Sequence, residues 1–265
     1  MKKLLFIVFI ALFALIVLYL YYYYRWKPLW SLEEPREIYS VCHHRDDTLR
    51  IAMIGDSWVG MRTDTLNQLF QAKLSEIIDR PVILKTKGKG GEKSRGIYKS
   101  MFEDAGFGTK KMLSDGVDYC VVIAGINDAA ANLGKKQYKH YMYLVLNFLL
   151  ANDIRPILIE IPNVNIWNVY GGKPSKDFVL DYLRSLMTGC GMYHYSEYRV
   201  ALQLMLEESG LLDSVIFVPI EGWNGETPNI NRQLFFDDQI HLNQQGYFKL
   251  DSCVIDAIRI DLKKF

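Results

Sequence analysis

The sequence predicts a three-layer α/β domain, an α/β/α sandwich built on a five-stranded parallel sheet. Short runs apolar on both faces recur along the chain, as strands covered from two sides require. Segments with helical apolar spacing alternate with them, and no internal repeat or low-complexity tract interrupts the scheme.

In chain order, Ile51 to Ile54 reads as the first strand, closed by Gly55, and Met61 to Ile78 as a helix with Leu66, Leu69, Phe70, Leu74 and Ile77 on one side. Val82 to Leu84 is the second strand and Ser94 to Glu103 a helix. Tyr119 to Ala124 is a third, wholly apolar strand, followed by a helix over Gln137 to Ala151. Pro156 to Ile161 is the fourth strand, and Phe178 to Met187 and Ser196 to Glu208 are helices. The fifth strand, Val215 to Val218, precedes a long irregular stretch and a last helix from Gln245 to about Ile260. Open sheets of this kind bind ligands beyond the carboxyl ends of their strands, near the point where strand order reverses. Polar residues just past the strands are therefore the place to look for chemistry.

The N-terminus has a separate logic. Lys2 and Lys3 precede an unbroken apolar run from Leu4 to Leu20, extended by Tyr21 to Tyr24 and stopped by Arg25, Trp26 and Lys27. This reaches the ~20 residues that cross a bilayer, and the rings suit the interface. Bulky residues stand where a cleaved signal peptide ends in small ones, so a retained anchor is favoured over that peptide or a buried core helix. The division is then an anchor over 1–27, a stalk over 28–48 containing Pro28 and Pro35, and a domain over 49–265. Basic residues flank both ends of the run, and the positive-inside rule leans only slightly toward a single-pass protein with its domain outside the cytoplasm.

A formal charge of +1 over 265 residues, with no basic stripe, argues against a nucleic-acid partner. Lys85, Lys87, Lys89 and Lys93 read as a solvated edge around a glycine turn. Cys42, Cys120, Cys190 and Cys253 contain no C-x-x-C pair, which argues against a zinc site. His43, His44, Asp46 and Asp47 are read as a solvated polar run before the fold rather than metal ligands.

Four blocks fall at strand ends. In Gly55-Asp56-Ser57-Trp58, a serine near a helix start lies where free N–H groups favour a developing negative charge, although taken alone such a serine is more often an N-cap. Gly88-Lys89-Gly90-Gly91 lets backbone approach a ligand, or is a plain turn. Gly125-Ile126-Asn127-Asp128 places an Asn amide that can donate to an oxyanion or cap the next helix. In Asp238-Gln239-Ile240-His241, an Asp three residues before a His can fold back to hold the imidazole, leaving the other ring nitrogen to take a proton from a serine, or the pair can be structural.

Taken together the blocks resemble the SGNH hydrolases, a branch of the GDSL esterase and lipase family, over most of residues 50 to 260. G-D-S at 55–57, G-x-N-D at 125–128 and D-x-x-H at 238–241 carry the likeness. The glycine block is the loosest, with Gly91 chosen and Gly88 as the alternative. Trp58 stands where the family name has Leu, a change read as affecting packing. The resemblance implies a flavodoxin-like fold, Ser57 as nucleophile, His241 as general base and Asp238 as its orienting partner. It further implies an oxyanion site from the N–H groups of Ser57 and Gly91 and the Asn127 side chain, with no metal or cofactor. The expected activity is removal of a short acyl group, acetyl foremost, from a carbohydrate or other envelope ester. An O-acyltransferase, a lysophospholipase and a non-catalytic binding module are the alternatives. Trp167, Tyr170 and Trp223 could stack on a sugar, though loop anchoring is the favoured role.

Overall fold

A computed structural model describes residues 2–23, 30–163, 173–174, 177–220, 223 and 232–264. The chain forms two compact units, Met1–Pro35 and Arg36–Phe265. In the first, Lys2–Tyr21 is a single helix (α1), long and apolar enough to cross a membrane, a property a signal sequence shares.

The second unit starts thirteen residues before its first strand, within the segment read as a stalk. Tyr39 secures this entry: its hydroxyl donates to the Met101 carbonyl at 2.6 Å and its ring lies 4.8 Å from that of Phe148. The sheet comprises β1 (Leu49–Gly55), β2 (Val82–Gly88), β3 (Tyr119–Ile123), β4 (Arg155–Ile159) and β5 (Ile216–Val218). All four pairings are parallel, in the order β2-β1-β3-β4-β5. The chain leaves β1 toward β2 and then crosses back to β3, so strand order reverses between β1 and β3. Every residue of β3 is buried, as its unbroken apolar run requires.

Between the strands lie α2 (Ser57–Gly60), α3 (Asp64–Ile78), α4 (Ser94–Ser100), α5 (Lys110–Ser114), α6 (Ile126–Ala130), α7 (Lys135–Ala151), α8 (Phe178–Thr188), α9 (Tyr195–Glu208) and α10 (Gln244–Leu262). Helix α3 packs with α10 over one face, while α4, α7 and α9 pack together over the other. The core includes Met53, Ile54, Phe70, Val121, Val122, Leu146, Leu158 and Val254, all essentially inaccessible.

The first helix differs from its expected extent. The chain makes one short turn from Ser57, breaks at Met61, and starts again at Asp64, where the Thr63 side chain accepts the Leu66 N–H. Buried Arg62 occupies the break, its guanidinium paired with Asp251 of α10 at 2.7 and 3.1 Å and 5.5 Å from the Tyr247 ring. An interior arginine needs such partners, so the break is tied to α10.

Candidate active site

The carboxyl ends of β1 and β3 form the crevice at the strand-order reversal. Asp56 and Ser57 follow β1 directly, and Asn127 follows β3 by a short turn at Gly125. Asp56 is the N-cap of α2, and its Oδ1 accepts the Trp58 N–H at 3.0 Å. Ser57 opens the helix and is 8 % exposed.

The two candidate glycines occupy different environments. Gly88 ends β2 opposite Gly55, and a Cβ there would lie 2.5 Å from the Gly60 nitrogen and 2.6 Å from the Asp56 carbonyl oxygen. It is a close-packing glycine beneath the serine turn. Gly91 has φ +71 and open space where a Cβ would project, so its backbone faces an accessible surface. The Glu92 carbonyl one residue on accepts the Asn127 Nδ2–H at 3.0 Å, which brings the glycine turn beside Asn127. Asn127 Nδ2 also faces Asp56 Oδ2 at 3.4 Å.

Asp238 and His241 occupy the tip of a tight excursion before α10. Phe235 and Leu242 bridge its base antiparallel, and Gln239 takes a left-handed φ of 58 to turn the tip. Asp238 Oδ1 accepts the Ile240 and His241 N–H groups at 2.9 Å each, and its Oδ2 lies 2.6 Å from His241 Nδ1. Asp237, its neighbour in sequence, is exposed. Desolvation opposes the charged form of Asp238, but the His241 N–H, the imidazole and the Ile240 N–H outweigh it and hold the carboxyl below its ordinary range.

Trp58 joins this excursion to the serine turn. Its buried indole donates to the Ile240 carbonyl at 2.9 Å and lies 6.1 Å from the Phe235 ring, and Tyr247 Oη donates to the Trp58 carbonyl at 2.9 Å. The residue after the serine thus holds the residue before the histidine. No hydrogen bond joins Ser57 Oγ to His241 Nε2 among the described residues. In sites without substrate such contacts are commonly longer than in the reacting complex.

Two carboxyl groups beneath the crevice were not singled out from the sequence. Burial pushes Asp56 up to about 7; the Trp58 N–H works against this, the Asp128 charge adds to it, and the His241 charge opposes it. Burial likewise raises Asp128, although its oxygens accept the Ser94 N–H at 2.9 Å and the Ser94 hydroxyl at 2.6 Å. Neither carboxyl has an ion-pair partner among the described residues. Their position just before the serine and just after Asn127 was the available sequence signal.

The other marked residues go elsewhere. His44 Nε2 contacts the Asp115 carbonyl, Asp46 pairs with Arg50 at 2.7 Å and Asp47 approaches Arg80 at 3.7 Å. Among the described residues no cluster of three or more His, Cys, Asp or Glu has metal-binding geometry. Trp223 is 8 % exposed and joins the core, while Trp167 and Tyr170 lie outside the described residues.

No family model and no curated protein matches this sequence. Solved structures do share its architecture. A lipase/acylhydrolase from Enterococcus faecalis aligns with a TM-score of 0.57 at 16% identity, covering 79% of this chain and 95% of its own. An esterase from Pseudoalteromonas gives 0.56 at 14% identity, with 82% and 100% covered. An acetyl-xylooligosaccharide esterase from Geobacillus gives 0.56 at 14% identity, with 79% and 94% covered. The shared fold is that of the GDSL lipases and acylhydrolases.

Proposed function

We propose, from the fold shared with the SGNH hydrolases, that this protein is a serine ester hydrolase whose catalytic residues are Ser57, His241 and Asp238. The observation that carries the reading is the Asp238–His241 clamp, anchored through Trp58 to the turn that bears Ser57. It engages one imidazole nitrogen, so the other is the nitrogen available to a serine.

In the proposed reaction Ser57 Oγ attacks the acyl carbonyl carbon as His241 Nε2 takes the hydroxyl proton. The bond from that carbon to the alcohol oxygen then breaks, and His241 returns the proton to the departing alcohol. Water, deprotonated by the same nitrogen, hydrolyses the acyl-serine. Asp238 keeps the ring oriented and stabilises the imidazolium. The Ser57 and Gly91 N–H groups and the Asn127 side chain are assigned to the oxyanion. Gly91 is preferred to Gly88 because its backbone faces open space rather than packed chain.

The substrate assigned is a short acyl ester, acetyl foremost, on a carbohydrate or other cell-envelope molecule. Helix α1 would serve as a single-pass anchor with the catalytic domain outside the cytoplasm. The acetyl-xylooligosaccharide esterase among the structural neighbours supports the first and the apolar length of α1 supports an anchor, while the side of the membrane rests only on the slight lean of the flanking basic residues. The test is p-nitrophenyl acetate turnover by the full chain with Ser57→Ala as control. Turnover that survives this substitution refutes the assignment.

A further inference from the structure

We propose that Asp56 is a positioning residue of the oxyanion site, holding the Asn127 amide in register with the turn that carries Ser57. The inference rests on the reading of Ser57 and Asn127 given above and adds a residue to it.

The geometry comes from both ends of one carboxyl group. Oδ1 accepts the Trp58 N–H at 3.0 Å, which fixes the first turn of α2 and with it the Ser57 backbone. Oδ2 faces Asn127 Nδ2 at 3.4 Å across the crevice between β1 and β3. The Asn127 amide has a second acceptor in the Glu92 carbonyl at 3.0 Å, on the turn that carries Gly91. The three groups assigned to the oxyanion come from three separate strand ends. A short chain of contacts, Trp58 N–H to Asp56 to Asn127 to Glu92, spans all three.

An exposed Asp would be explained by capping alone. Asp56 is 1 % exposed and forms no salt bridge among the described residues, and a serine could cap α2 without burying a carboxyl group. What Asp adds over Ser is the second oxygen and the reach toward Asn127. Asn127 Nδ2 carries two hydrogens: Asp56 Oδ2 holds one and fixes the plane of the amide, and the other, which meets the Glu92 carbonyl in this structure, is the one to be passed to the oxyanion, so the donor is preorganised by Asp56. Asn127 would be the catalytic residue of this pair and Asp56 acts through it.

The two roles separate by substitution. Asp56→Asn keeps the shape but turns either an amide nitrogen or a neutral oxygen toward Asn127. Asp56→Ser keeps an acceptor for the Trp58 N–H and cannot reach Asn127. Both are made in the full chain, alone and combined with Asn127→Ala, with thermal melts to identify folded variants. The readouts are kcat and KM on p-nitrophenyl acetate and the rate of Ser57 labelling by a fluorophosphonate. Each Asp56 variant is expected to lose about 30-fold or more in kcat with KM within about 2-fold, a part of the ~10²–10³ that removal of an oxyanion donor costs, because Asp56 acts through Asn127. Adding Asn127→Ala should then cause little further loss, because coupled residues are non-additive. Full kcat in a folded Asp56→Ser variant would reduce Asp56 to a cap and overturn the inference. Losses that multiply independently with those of Asn127→Ala would overturn it as well, because a purely structural role predicts that pattern. If Asp56→Asn does not fold, the Asp56→Ser cycle decides alone; if neither folds, Asp56 is required for the fold itself and the positioning role is rejected. Failure of the underlying reading looks different: turnover or labelling in the unaltered chain would then be absent, or would persist in Ser57→Ala, and the inference falls with it.

Discussion

Each side chain at the crevice is defined by what it accepts. Asp238 takes two backbone N–H groups on one oxygen and the imidazole on the other, so the aspartate and histidine form a rigid unit before any substrate arrives. Asp238→Asn should leave the turn folded but present the wrong partner to Nδ1, and kcat on p-nitrophenyl acetate is expected to fall at least about 100-fold. Asn127→Ala should reduce kcat by about 100-fold with KM little changed, since a donor in the role proposed for Asn127 acts on the transition state. The buried carboxyl of Asp56 has a consequence for stability. Its folded pKa is raised from 3.8 to about 7, so the native state binds the proton more tightly than the unfolded chain does. That contribution is fully present below about pH 4 and is lost as pH rises through about 7, a change on the order of 4 kcal/mol. Groups acting on this carboxyl are Asp128, His241, Tyr138 and Tyr247. In pH-dependent melts, Asp56→Asn should therefore gain stability relative to the unaltered protein between pH 4 and pH 8. A constant difference across that window would contradict the assignment.

Single elements show where sequence periodicity misleads. Helix α8 has a regular apolar stripe, the pattern that normally faces a core. Here Val179 and Leu186 are 67 % and 62 % exposed, while Asp181 and Ser185 are buried. Asp181 accepts the Tyr193 hydroxyl at 2.6 Å and an Arg184 N–H at 3.2 Å, so the polar side is the one engaged with the protein. Leu186→Ser should change stability by no more than about 0.5 kcal/mol. Asp181→Ala should lower it by about 1–3 kcal/mol, because it removes the carboxylate that accepts the buried Tyr193 hydroxyl at 2.6 Å; chemical denaturation of both variants checks the inversion. The break between α2 and α3 is the second such element. A continuous helix through Met61 satisfies the apolar spacing, yet Arg62 needs Asp251 from the far end of the chain and the backbone opens to let it reach. Arg62→Ala would strand the Asp251 carboxyl, and a loss of about 3–5 kcal/mol is expected.

At the scale of the whole molecule, Arg36–Phe265 is the unit that carries the candidate site and α1 belongs to a separate one. The segment before β1 contributes packing through Tyr39, so Tyr39→Ala should lower domain stability by about 2–3 kcal/mol in denaturant melts. The five strands, their parallel sense and most helices were legible because apolar period and length are local properties of the chain. The blocks around Ser57, Asn127 and Asp238–His241 were legible because strand ends in such a sheet are where ligands bind. Strand order, by contrast, depends on which crossovers pack best, and no local pattern records it. The same holds for Trp58, whose indole meets Ile240 across 182 residues, and for Asp56, whose neighbour Asn127 lies 71 residues away. The sequence by itself determined the layer architecture, the apolar N-terminal helix and which residue types stand at the strand ends, since these follow from local hydrophobic pattern and turn chemistry. Only the tertiary structure decided which of two glycines faces open space, which face of α8 turns inward and that Trp58 ties the Asp238–His241 turn to the turn bearing Ser57, because each depends on contacts between segments far apart in the chain.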